Sequence, residues 1–163
     1  MRVALFGGTF DPIHTAHIRS AQLVADALGL DRVLLMPTFV PPHKLKASMA
    51  PAADRLEMCR LAAKEDARFF VSDMEIRRGG ASFTADTLHA LHAENPQNEW
   101  FLLVGADMFL TLGTWYHFEE ILDMATVCTV PRDGVGADAL RAYAATLPQN
   151  GKFYIAETAV GDI

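Results

Sequence analysis

The segment Gly7-Gly8-Thr9-Phe10-Asp11-Pro12-Ile13-His14-Thr15-Ala16-His17 carries the residues best equipped for chemistry. Glycine lets a backbone come close to an anion. The first N–H groups of a helix are unpaired and partly positive, so a helix that begins near His14 offers an anion site. His14 and His17 stand three residues apart and share one face of the first helical turn. Glycine amides, a helix end and two imidazoles in one corner suit a nucleotide phosphate. Zinc is the poorer reading, because a tetrahedral site wants a third and a fourth ligand at usable spacing and none stands nearby. The expected protein-held metal is therefore none.

Such a corner needs a strand before it and a helix after it, and the pattern supplies both. Arg2–Phe6 is an apolar run that reads as a buried strand. His14–Leu28 has Ile18, Ala21, Val24 and Leu28 at helical spacing, with Gly29 as a stop signal. Strands are expected at Arg32–Met36, Phe69–Ser72, Glu99–Val104, Ala125–Val130 and Lys152–Ala156. Helices are expected at Pro51–Glu65, with Leu56, Cys59, Leu61 and Ala62 inward, at Thr84–Ala93 and at Gly136–Leu147. Short helices are expected at Met108–Leu112 and Tyr116–Leu122. Pro37–Met49 reads as a loop, and Met74–Ala81 as a polar, glycine-bearing connection. Alternating strands and helices predict an α/β fold with a Rossmann-like, doubly wound parallel sheet covered on both faces. Ligands of such sheets bind beyond the carboxyl ends of the strands, where strand order reverses. Gly7–Thr9, Pro41–Lys44 and Gly105–Asp107 all fall at such ends.

The totals narrow the class. The chain has 163 residues, which predicts a single domain over 1–163. A formal charge of −6 argues against nucleic acid or an anionic membrane as partner, without excluding a local positive pocket. No run approaches the roughly 18 apolar residues of a membrane span. Met1-Arg2-Val3 enters a strand at once, so no signal peptide is expected, and a reducing cytoplasm is the default location. Cys59 and Cys128 read as small core hydrophobes rather than a disulfide.

Further motifs sharpen the first. Pro41-Pro42-His43-Lys44, Ser82-Phe83-Thr84-Ala85-Asp86-Thr87-Leu88, Gly105-Ala106-Asp107 and Thr114-Trp115 follow Gly7–His17 in order. Together they resemble the nicotinate mononucleotide adenylyltransferases of the nucleotidylyltransferase superfamily, over nearly the whole chain. The chain departs from that pattern at two places: Ala16 replaces a glycine in His-x-Gly-His, and Phe83 replaces a tyrosine. The resemblance implies a cytidylyltransferase-like domain that transfers the adenylyl group of ATP to nicotinate mononucleotide. The products are deamido-NAD⁺ and pyrophosphate, in NAD biosynthesis. It implies catalytic roles for His14, His17 and Lys44. It implies an ATP and phosphate site from Gly7, Gly8, Thr9, Phe10, His14, His17, Gly105, Asp107 and Arg132. It implies a mononucleotide site from Thr9, Lys44, Ser82, Phe83, Thr84, Thr87 and Trp115. Mg²⁺ arrives with the triphosphate on this reading.

Each residue has a plainer reading beside that one. Lys44 is either a solvated lysine or a phosphate partner. Ser82 or Thr84 caps a helix as readily as it meets a ligand. Trp115 is a core residue or a face stacked on the pyridine ring, the latter worth roughly 0.5–1.5 kcal/mol beyond area. Asp107 caps a short helix or accepts ribose hydroxyls, and Arg132 is a surface cation or a phosphate or base contact. His89 and His92 sit on a polar helix face without a role, and Asp11 sets the turn before Pro12.

The family pattern also continues into an Ile-Ser-Ser/Thr-x-x-Ile-Arg segment that clamps ATP phosphates, and this sequence stops at Gly161-Asp162-Ile163. The expectation is a truncated C-terminus with weakened ATP binding. That leaves open a nucleotide-binding module with little catalysis. A relative that prefers the amide mononucleotide is also open, as is a homo-oligomer. Transferases acting on phosphopantetheine or glycerol phosphate lack the Ser-x-Thr-x-x-Thr and Trp pair.

Overall fold

Runs of β-branched and large apolar residues with no polar break form strands that both faces of a sheet can cover. The structure, a computed structural model describing residues 1–39 and 49–159, has six such strands. They are β1 (Arg2–Gly8), β2 (Arg32–Pro37), β3 (Phe69–Val71), β4 (Glu99–Leu103), β5 (Ala125–Thr129) and β6 (Phe153–Ile155). The order is β3-β2-β1-β4-β5-β6, and every neighbouring pair is parallel. Strand order reverses between β1 and β4, paired from Arg2 opposite Glu99 to Phe6 opposite Leu103. The expected α/β, doubly wound parallel sheet is what forms.

Side-chain alternation sorts the core into two layers. Val3 and Leu5 of β1, with Trp100 and Leu102 of β4, pack on one face. They meet α4 (Thr84–Glu94), α5 (Ala106–Phe109), α6 (Phe118–Met124) and α7 (Ala137–Ala144). Ala4, Phe6, Phe101 and Leu103 point the other way, against α1 (Thr15–Leu28) and α2 (Ala52–Ala62). Cys59 and Cys128 are buried free thiols, and burial pushes each up to about 12. Among the described residues no helix is long and apolar enough to cross a membrane.

The structure corrects several expected elements. A helix α3 (Met74–Arg78) lies inside the stretch read as a polar connection. The local sequence Met-Glu-Ile-Arg-Arg is helix-compatible, and Gly79, with φ of 72°, ends it. Leu61 was expected inward but is 55% exposed, and the buried stripe of α2 is Arg55, Cys59 and Ala62. Neither Ser82 nor Thr84 caps α4, whose N-cap is Phe83 with no side-chain bond. Asp107 is not a cap either, because Gly105 holds that position and Asp107 lies in the first turn of α5.

Candidate active site

At the carboxyl ends of β1 and β4 the chain leaves a cavity of about 830 Å³. Gly7 to Pro12, His14, His17, Gly105, Asp107 and Arg132 line it, as do Ser82, Phe83, Thr84 and Trp115. The sheet topology forces this convergence, because β1 feeds the glycine corner while β4 feeds Gly105–Asp107 beside it. Gly8 is tightly placed: a Cβ there would meet Cε1 of Phe10 at 3.3 Å. Phe10 itself is buried with φ of 48°, a left-handed backbone that a phenylalanine adopts only when its surroundings hold it. Its ring meets Phe6 edge-on at 5.3 Å and His17 edge-on at 5.3 Å.

The two histidines are held differently. His14 is the N-cap of α1 and is exposed. Its N–H donates to Nδ1 of His17 at 3.1 Å, and the two rings lie 3.9 Å apart at 33°. An accepting Nδ1 assigns the proton of neutral His17 to Nε2. His17 is held down to about 4 by burial, then by His14 and by Arg132. It is therefore neutral at pH 7 and still a donor. A polyphosphate anion in the corner favours the imidazolium, so binding raises the His17 pKa and takes up protons below the ordinary value of 6.5. Proton NMR of His17 with and without tripolyphosphate checks this, and an unmoved titration contradicts it. The sign for stability runs the other way. Between pH 6.5 and 4 the unfolded chain binds that proton first, so the unliganded fold loses stability as pH falls through this window.

Behind the corner lies a residue the sequence reading passed over. Arg55 is 1% exposed. Its guanidinium donates to the carbonyls of Thr9 at 3.0 Å, Thr38 at 2.6 Å, Ala50 at 3.0 Å and Phe39 at 3.4 Å. Burial pulls its pKa below the ordinary arginine value, opposed by the Asp11 carboxylate and by Cys59. Asp11 in turn accepts from the N–H of Ala50 at 3.1 Å. One cation thus fastens the end of β1 to the end of β2. Its phase on α2, four residues before Cys59 and seven before Ala62, was the available signal.

On the opposite wall, Ser82 is buried and accepts the N–H of Phe39 at 2.9 Å. Phe83 stacks on Tyr116 with centroids 4.6 Å apart, which puts a phenol next to the position where the family pattern has one. Trp115 is partly buried, lines the cavity and donates from Nε1 to Thr111 Oγ1 at 2.9 Å. Thr87 does not line the cavity. It is fully buried, and its hydroxyl donates to Glu75 Oε2 at 2.7 Å while accepting from Arg78 at 3.0 Å. One helical turn past Thr84, it faces Glu75 and Arg78 instead. Lys44 and His43 lie outside the described residues. Glu75, Thr38, Met108 and Tyr116 line the cavity without having been singled out.

A parallel αβ sheet with an anion corner at its switch point defines a nucleotide-binding class, and comparison names it. The chain belongs to the cytidylyltransferase-like family, whose profile matches residues 5–159. It is similar to a probable nicotinate-nucleotide adenylyltransferase of Geotalea daltonii, 43% identical over 140 residues. That match covers 86% of this chain and 65% of the relative. A relative of the same description in Geobacter sulfurreducens is 40% identical, over 96% of this chain and 73% of its own length. The chain thus spans about two thirds of the length of the curated relatives it matches. In fold it is similar to the Plasmodium falciparum nicotinic acid mononucleotide adenylyltransferase complexed with NaAD. There the TM-score is 0.76 at 18% identity, over 96% of this chain and 74% of that one.

Proposed function

We propose that the protein transfers the adenylyl group of ATP to nicotinate mononucleotide, releasing pyrophosphate and forming deamido-NAD⁺. One observation carries this reading. The anion corner of His14, His17, Arg132 and the Gly7–Phe10 turn shares a single cavity with Ser82, Phe83, Thr84 and Trp115. One wall suits phosphates, and the other offers hydroxyls, a helix start and an indole for a flat, acidic ring. The names of the curated relatives support the same reaction.

The reaction needs no protein nucleophile. An oxygen of the mononucleotide phosphate attacks the α-phosphorus of ATP in line, the bond to the bridging oxygen breaks, and pyrophosphate leaves with that electron pair. Charge gathers on the equatorial and departing oxygens, so the protein's task is positioning and electrostatics. The amides of Gly8, Thr9 and Phe10 and the start of α1 receive the transferring phosphate. His14 and His17 donate to the triphosphate, with Arg132 as a full charge and Lys44 as a second. Gly105 and Asp107 face the ribose of ATP. Thr84 and Ser82 meet the pyridine carboxylate and Trp115 stacks on the ring. Mg²⁺ accompanies ATP and neutralises its phosphates when bound. It would be held mainly by the oxygens of the triphosphate it arrives with. A reducing cytoplasm suits two buried free thiols.

Pyrophosphate release, with ATP and either pyridine mononucleotide, tests the proposal. The expected result is turnover with the acid at a higher kcat/KM than with the amide. ATP binding without pyrophosphate release from either pair overturns it.

A further inference from the structure

Of the two tryptophans, Trp100 is buried in β4 and Trp115 lines the cavity. A flat side chain receives a flat ring best when its plane is set beforehand, because ordering it on binding costs affinity. An indole is oriented by its edge. A hydrogen bond from Nε1 lies in the ring plane, so its acceptor restricts rotation about the Cβ–Cγ bond. For Trp115 that acceptor is Thr111 Oγ1, at 2.9 Å. The Thr111 hydroxyl has one proton, which goes to the carbonyl of Met108 at 2.7 Å, so a lone pair is left for the indole. The branched Cβ of Thr111 stiffens the acceptor further. Thr111 is exposed, so this bond adds little to stability and acts on orientation instead.

A second hydroxyl holds the backbone between these two residues. Leu112–Thr114 form one tight turn, and the N–H of Gly113 donates to the Tyr143 hydroxyl of α7 at 2.8 Å. The approach is close: a Cβ on Gly113 would meet that oxygen at 3.1 Å. The carbonyl of Thr111 accepts from the N–H and the hydroxyl of Thr114 at 2.9 and 2.7 Å. The N–H of Trp115 donates to the carbonyl of Leu112 at 3.1 Å. The segment from Thr111 to Trp115 is thus pinned at its start, middle and end. Neither Thr111 nor Tyr143 lines the cavity. We infer that both are positioning residues for the pyridine ring: Thr111 sets the indole plane of Trp115, and Tyr143 fixes the turn that carries it. This rests on the adenylyl-transfer reading above.

The test is a split between KM and kcat. Thr111→Val keeps the branched shape and removes the acceptor, so KM for nicotinate mononucleotide rises about 3- to 10-fold. Stacking is equal in the ground and transition states, so kcat and KM for ATP stay within about 2-fold. Thr111→Ser restores the hydroxyl and brings KM back to within about 2-fold of wild type. Tyr143→Phe keeps the ring, removes the acceptor for Gly113, and raises the same KM about 3-fold or more. In a Trp115→Leu background neither substitution adds a further loss, because both act through the indole. Nitrogen-15 NMR reads the bond without substrate. In Thr111→Val the indole N–H signal of Trp115 shifts and exchanges faster with water, while that of Trp100 stays. An unmoved KM in Thr111→Val or Tyr143→Phe overturns the role of that hydroxyl, as does a loss that adds fully in the Trp115→Leu background. A Trp115 signal unaltered by Thr111→Val overturns the bond itself. Wild-type protein that turns over neither mononucleotide defeats the adenylyl-transfer reading and this inference with it, a result distinct from active protein with an unmoved KM.

Discussion

His17→Ala lowers kcat about 10²–10³-fold and changes KM for ATP little, the pattern of a donor whose bond strengthens where charge develops. His17 is a neutral imidazole that already offers Nε2–H, because His14 N–H occupies Nδ1 and because burial, His14 and Arg132 hold the ring down to about 4. Such a donor needs no rearrangement as the leaving oxygens gain charge. The substitution also opens a gap beside Phe6 and Phe10, whose rings lie 6.0 and 5.3 Å from that of His17. His17→Phe separates the two effects. It keeps an aromatic ring against Phe10 and loses the Nε2–H, so it shows the same loss of kcat with a melting temperature near wild type. Steady-state pyrophosphate release with circular-dichroism melts checks both variants. Turnover in His17→Phe within about 3-fold of wild type would remove His17 from the chemistry.

The contrast between legible and illegible parts has a physical basis. Strand runs such as Trp100–Val104 and the helical stripe of α1 announce themselves because hydrophobic burial follows the period of the backbone. The anion corner is local in sequence, so Gly7 to His17 could be read as one unit and their convergence on the cavity foreseen from the switch-point rule. Glu75 and Arg55 are different. Each is a charged residue on a buried surface, and charge patterning assigns such residues to solvent. Their sense emerges only when distant segments meet: Glu75 with Thr87 twelve residues on, Arg55 with Thr9 forty-six residues back. Thr87 shows how far spacing alone reaches. Its spacing from Thr84 suggested a shared ligand, yet three residues of helix turned it away from the cavity and onto Glu75.

Arg55→Met destabilises the fold by about 3–5 kcal/mol, the largest effect on stability expected of any single change near the site. Replacing a whole buried ion pair by apolar residues can be neutral, because both partners lose their desolvation cost together. That escape is closed here. The partners are the main-chain carbonyls of Thr9, Thr38, Phe39 and Ala50, which no substitution removes and which lie in partly buried surroundings. For a chain of this size each kcal/mol lowers Tm by about 2–4 °C, so a fall on the order of 10 °C follows. Arg55→Lys keeps the charge but not the fork, reaches fewer of the four acceptors and falls between. Thermal and urea melts read these shifts, and Arg55→Met within about 1 kcal/mol of wild type contradicts them. Activity carries a second consequence. With Thr9 no longer fastened to the end of β2, the left-handed turn at Phe10 loses one of the contacts that hold it, so kcat/KM falls even at temperatures where the variant is fully folded.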